Sequence, residues 1–179
     1  MNSFALELWY DEGSVCTFYT VKWVTDNENA PSETDKFFDT YAVPEHPLEE
    51  EAQKLFQLIV ESIGDKYGAT NDFFDRTVNK ANELPPKPKN RVEEIHAMGT
   101  HFPLRIFCFR VSETIVILFN GGIKESRTTQ ESKTLSMKFY EAQTFVKRLE
   151  EAFYFDLIEI TDDQRYLQNP HDNTNPIIL

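Results

Sequence analysis

The 179-residue chain has little sulfur, little glycine and few positive charges: two Cys, six Gly, and 18 Lys and Arg against 30 Asp and Glu. Two cysteines cannot build the disulfide framework of a small secreted domain. Cys16 and Cys108 each lie in an apolar, strand-like run, the setting of packed free thiols in a reducing compartment. Scattered glycines leave no Walker loop and no dinucleotide fingerprint, and the one adjacent pair, Gly121-Gly122, suits a tight turn or bulge better than a phosphate cradle. A serine elbow and a Cys-X-X-Cys pair are also missing. His46, His96, His101 and His171 have no metal-ligand spacing, so they read as surface or structural histidines, and neither a metal nor a cofactor is expected. No run approaches the roughly 18 apolar residues of a membrane helix. The segment Met1–Trp9 lacks the basic region and cleavage signal of a secreted precursor, so a cytoplasmic location away from membranes is expected.

What is abundant is packing material. Forty per cent of residues are hydrophobic and 15 are Phe, enough for a real core in one domain. That domain is expected to span residues 1–160, with 161–179, rich in Asn and acids, as a loosely ordered tail in which Ile177, Ile178 and Leu179 are able to dock.

The clearest local pattern is Leu104–Arg110 followed by Ile115–Asn120: two apolar runs rich in β-branched and aromatic residues, joined by a few polar ones. This predicts a β-hairpin. Leu104, Ile106 and Cys108 fall on one face, Phe107 and Phe109 on the other, and Ile115, Ile117 and Phe119 alternate with Val116 and Leu118. Neither face is a water face, which places the hairpin centrally in its sheet. Phe4–Tyr10 and Val15–Val24, joined by Asp11-Glu-Gly-Ser14, predict a second hairpin. Ser32 or Thr34 can cap a short helix carrying Phe37, Phe38 and Tyr41. Leu48, Ala52, Leu55, Phe56, Ile59 and Ile63 recur at helical spacing behind an acidic first turn, with Gly64 or Gly68 as the stop. A last helical stripe runs through Phe139, Ala142, Phe145, Val146, Leu149 and Phe153. Val92–Met98 reads as a further strand, and Phe155–Ile160 as a short edge strand.

Charge is distributed unevenly. Residues 1–86 hold 6 basic and 17 acidic side chains, residues 149–179 hold 1 and 7, and the block 87–148 holds 11 and 6. All net positive charge therefore surrounds the central hairpin. Arg105 sits between apolar strand residues, where a guanidinium must find a partner or reach a cleft. Arg110, Lys124 and Arg127 follow it, and the proline-stiffened loop Leu84–Arg91 supplies Lys87, Lys89 and Arg91. Two readings fit: solvated charges with Arg105 in a structural pair, or a set that orients an RNA phosphate and stabilises the charge that develops when a ribose 2′-hydroxyl attacks it.

The segment Leu104-Arg-Ile-Phe-Cys-Phe, its turn, and Ile115-Val-Ile-Leu-Phe-Asn-Gly-Gly-Ile-Lys124 resembles the core of RelE/HigB-like toxins, particularly the phage-derived Gp49-like branch. The resemblance is close over residues 102–128 and loose over 15–153. It implies an α+β fold of RelE type, with an antiparallel central sheet packed by helices on one face, plus an N-terminal hairpin and a C-terminal helix. It also implies a type II toxin acting as a metal-independent mRNA endoribonuclease on the ribosome, held inactive by an antitoxin of helix-turn-helix type. Carried over by position, Arg105 matches the strand arginine of the family and Lys124 the first lysine of its loop; with Arg127, next to Thr128 where another lysine is expected, they would be catalytic, while Lys87, Lys89, Arg91 and Arg110 of the basic block would bind RNA. The chain departs from the family pattern at Glu125, where a second Lys is expected, and in its acidic balance. A non-catalytic protein-interaction module on the same fold is the alternative.

Overall fold

The computed structural model describes residues 2–74, 80–88, 92–125, 133–173 and 175–179. The first hairpin forms as expected, with β1 (Phe4–Tyr10) antiparallel to β2 (Thr17–Trp23). Helix α1 (Glu33–Tyr41) is capped by Ser32, whose Oγ accepts from the Asp35 backbone N–H at 3.1 Å. Helix α2 (Glu49–Gln57) runs directly into a π-helical segment, Leu58–Tyr67, that ends at Gly68. Ala52, Leu55, Ile59 and Ile63 of the expected stripe are buried, while Phe56 at its margin is half-exposed. Then come β3 (Asn82–Leu84), α3 (Glu93–Met98), β4 (Leu104–Ser112), β5 (Ile115–Ile123) and α4 (Lys133–Tyr154). The short strands β6 (Glu159–Ile160), β7 (Leu167–Gln168) and β8 (Ile177–Ile178) close the order.

Six strands share one sheet in the order β3-β4-β5-β2-β1-β8, so the β4–β5 hairpin is interior, and β6 and β7 form a separate ribbon. The pairing is antiparallel except between β2 and β5, which run parallel from Thr17↔Ile115 to Thr20↔Leu118. The protein is thus α+β with a mixed sheet, which corrects the expectation of a wholly antiparallel one. A parallel neighbour needs a long crossover, and the helices between β2 and β5 provide it.

Helices cover both faces, which corrects their expected placement on one. On the first face Phe18, Leu104, Ile106, Val116 and Leu118 pack with Phe37, Leu55 and Ile59 of the early helices. On the second, Phe4, Phe107, Ile115, Ile117 and Phe119 pack with Phe145, Val146 and Leu149 of α4. Phe145 stacks on Phe119 with ring centroids 5.4 Å apart and meets the edge of Phe4 at 5.0 Å. The strict alternation along β5 is what makes two cores possible, since each neighbour in sequence serves the opposite layer. Burying each such aromatic contributes about 2–3 kcal/mol. Cys16 and Cys108 are buried free thiols in the first core, and burial pushes the Cys16 thiol up to about 12.

Two local expectations change. Val92–Met98 is helical: Glu93 and Glu94 occupy a first turn and Ile95 is its buried residue, a spacing too short to distinguish the two periods in sequence. The tail is held rather than loose. Ala5 pairs with Ile178 and Leu6 with Ile177, Phe4 and Leu179 exchange backbone hydrogen bonds at 2.9 and 2.8 Å, and Leu167 and Ile177 are buried. Arg165 adds donations to the carbonyls of Gly13 and Ser14. The edge strand expected within Phe155–Ile160 exists as β6, in the separate ribbon.

Candidate functional site

The cleft at one end of the β4–β5 hairpin begins with a backbone irregularity. Between the pairs Ile106↔Gly121 and Cys108↔Leu118, β5 uses one more residue than β4. This is a β-bulge, and it draws the strands together at Gly121. A Cβ on Gly121 would lie 1.9 Å from the Arg105 carbonyl oxygen, so only glycine fits. The Asn120 side chain secures the bulge, accepting from the Gly121 N–H at 2.8 Å and donating to buried Glu33 at 3.1 Å. Beyond it the Lys124 backbone N–H donates to the Pro103 carbonyl at 2.7 Å, tying the end of β5 to the start of β4.

The other wall comes from the turn that follows α3, Thr100 to Phe102. Lys66 and Tyr67 hold Glu94 of that helix, at 2.9 and 3.1 Å, so α3 is fixed against the π-helical segment. Gly99, at φ +76°, ends the helix in the left-handed region that favours glycine and turns Thr100 and His101 into the cleft. The resulting cleft holds about 630 Å³ and is lined by Lys87, His101, Phe102, Arg105, Lys124 and Glu125 among others.

Arg105 forms its floor. The side chain is 5% exposed, and Nη1 donates to the carbonyls of Phe102 and Leu104 at 2.6 and 2.7 Å. Among the described residues Nε has no hydrogen-bond partner, and it lies 3.8 Å from the Glu83 carboxylate. The same Glu83 oxygen is 3.8 Å from Lys124 Nζ, so one carboxylate faces two cations. An isolated buried guanidinium costs several kcal/mol, which two carbonyls and a nearby acid offset here. Burial holds Arg105 below the usual arginine range, with Glu83 opposing. Lys124 is also lowered, first by burial and then by the Arg105 charge, against the pull of Glu83. Burial is the larger cause for both, and the carboxylates of Glu83 and Glu125 stand among the cations Lys87, Arg105 and Lys124.

Of the residues singled out in the sequence, Arg105, Lys124 and Lys87 meet in this cleft. Arg110 does not. Five residues farther along β4, it donates to the Ala69 carbonyl and to Asn71, both at 3.0 Å, and lies over the Phe74 ring. Arg127, Lys89 and Arg91 lie outside the described residues. Arg105 combines both sequence readings: it has a structural acid partner, and it lines a cleft. Glu83 and His101 were not among the site residues read from sequence. Glu83 reaches the site because β3 pairs it with Phe107, and no local pattern reports that register. His101 stands three residues before β4, and its proximity to Arg105 in sequence was the available signal.

Among the described residues no group of three or more His, Cys, Asp or Glu is placed to hold a metal, and no helix is long and apolar enough to cross a membrane. No family model matches the chain, and neither a curated protein nor a solved structure matches it.

Proposed function

We propose that the protein is a RelE/HigB-like toxin whose cleft binds an RNA phosphodiester and promotes its cleavage. The carrying observation is the convergence of Lys124, Lys87 and buried Arg105 on one cleft. Element order supports the reading: from β2 to α4 the chain runs strand, two helices, an antiparallel β3-β4-β5 set with α3 inserted, and a long helix. In this reading Lys124 contacts the phosphate and stabilises the charge that develops on it. Arg105 holds the floor and adds its charge, while Lys87 positions the strand. The ribose 2′-oxygen forms a bond to phosphorus, the bond from phosphorus to the 5′-oxygen breaks, and the proton lost by the first oxygen is balanced by one gained by the second. A small antitoxin would hold the protein inactive, and the ribosome would present the mRNA.

Glu83 favours a second reading. A carboxylate 3.8 Å from both cations already occupies part of their field, as suits a non-catalytic RelE-fold module that binds a protein partner. Induced expression separates the two. The wild type is expected to arrest growth and Lys124→Ala to restore it at equal soluble protein. Equal growth of cells carrying either protein would leave the interaction module standing and the nuclease refuted.

A further inference from the structure

The outward side of α4 and the turn after it carry the most exposed large apolar side chains among the described residues. Leu135, Ala142, Phe145, Val146, Leu149 and Ala152 point inward. Helical spacing then puts Tyr140, Thr144, Lys147, Glu151 and Tyr154 on the opposite ridge. Large apolar side chains are bare there: Tyr140 is 65% exposed, Tyr154 81%, Phe155 65% and Leu157 44%. Two grooves flank the ridge. One of about 970 Å³ runs past Trp23, Tyr140, Phe155, Leu157 and Leu179, and one of about 650 Å³ runs past Phe109, Val111, Phe153, Tyr154 and Ile160. Lys147 and Glu151 line both.

Those two charges are four residues apart on one helix face, yet among the described residues no ion pair within 4.0 Å joins them, whereas Lys54 and Glu50 on α2 pair at 3.1 Å. Arg148 beside them is committed internally, to the Asn2 carbonyl at 2.8 Å and over the Phe4 ring at 4.6 Å. The ridge thus carries one cation and one anion at its middle, between aromatic groups at each end.

We propose that this face joins two copies of the chain, α4 against α4, antiparallel about a twofold axis. Setting Lys147 opposite Glu151 of the partner subunit necessarily sets Glu151 opposite Lys147 of the partner subunit, so each charge pair is made twice. The same register places Thr144 opposite Tyr154 of the partner subunit. It also carries Tyr140 to the turn holding Phe155 of the partner subunit and Leu157 of the partner subunit. The ridge is therefore complementary to itself in both charge and apolar content, which is the ground for choosing a second copy as the occupant. The aromatics supply the burial, and the charges select the register, since like charges set opposite each other cost several kcal/mol.

Sedimentation over a wide concentration range tests this independently of the cleft. The wild type is expected to dimerise. Lys147→Glu and Glu151→Lys each turn both pairs repulsive, and each is expected to raise the dissociation constant about 100-fold, from two pairs at about tenfold each. Both positions are exposed, and circular dichroism is the check that the variants fold. An equimolar mixture of the two variants, and the double variant Lys147→Glu with Glu151→Lys, restore opposite charges and are expected to restore the dimer. A wild type that stays monomeric at every concentration, a dimer indifferent to the single reversals, or a mixture that remains monomeric would each overturn the proposal.

Discussion

Strand β4 carries two arginines five residues apart, about 17 Å along an extended chain, and they do different work. Arg110 is half-exposed and satisfies its guanidinium locally, on the Ala69 carbonyl and Asn71, pinning the turn after the π-helical segment to the sheet. Arg105 is buried, and among the described residues it leaves Nε unpaired in front of a carboxylate that it shares with Lys124. The same residue type on the same strand thus serves as a fastener at one end and as the floor of a charged cleft at the other. What separates them is burial, because only the Arg105 end brings β3, β5 and the turn after α3 around the guanidinium.

The largest break in that contrast comes from Gly121→Ala. Its Cβ would overlap the Arg105 carbonyl at 1.9 Å, so β4 and β5 must separate where they close the cleft. A loss of about 3 kcal/mol is expected, the upper end for overpacking, read as a lower midpoint in urea denaturation. A midpoint equal to that of the wild type would show that the strands do not need this approach.

Removing the two arginines in turn sharpens the comparison. Arg105→Ala strands two buried carbonyls and leaves Glu83 beside an empty floor, an expected loss of about 2–4 kcal/mol. Arg110→Ala exchanges partly solvated hydrogen bonds for water and is expected to cost within about 1 kcal/mol. Equal losses in denaturation would erase the distinction drawn between the two ends of the strand.

Much of this arrangement is legible in residue order, and the limits have physical causes. The β4–β5 hairpin, the α2 stripe and the α4 stripe announce themselves because side-chain period depends on local backbone geometry alone. So does the special status of Arg105, a permanent cation set among Leu104, Ile106 and Phe107. The parallel pairing of β2 with β5 leaves no such trace, because it joins residues about a hundred positions apart through the intervening helices. Two-sided helix cover is implied by the alternation along β5 once both sets of side chains must be buried, but which helix goes to which face is not. Sequence marks Ile177 and Ile178 as apolar residues able to dock but not where, because their partner is the free edge of β1. Within the cleft, Glu83 joins Arg105 through tertiary register and His101 through nearness in sequence, whereas Arg110, equally near in sequence, lies elsewhere.

Salt-dependent binding of a short single-stranded RNA tests the cleft most directly. Each phosphate contact contributes a slope of about −0.7 in log affinity against log salt. The wild type is expected to bind with a steep slope, Lys124→Ala to bind more weakly with the slope reduced by about 0.7, and Arg110→Ala to match the wild type. The pH dependence has a definite sign. Because burial and Arg105 lower Lys124, its charge, and with it the RNA affinity, is lost on raising the pH sooner than for an exposed lysine. Salt-sensitive affinity that falls with Lys124→Ala and not with Arg110→Ala is the result predicted; affinity that is absent, indifferent to salt, or equally reduced by both substitutions would contradict an RNA-binding cleft centred on Arg105 and Lys124.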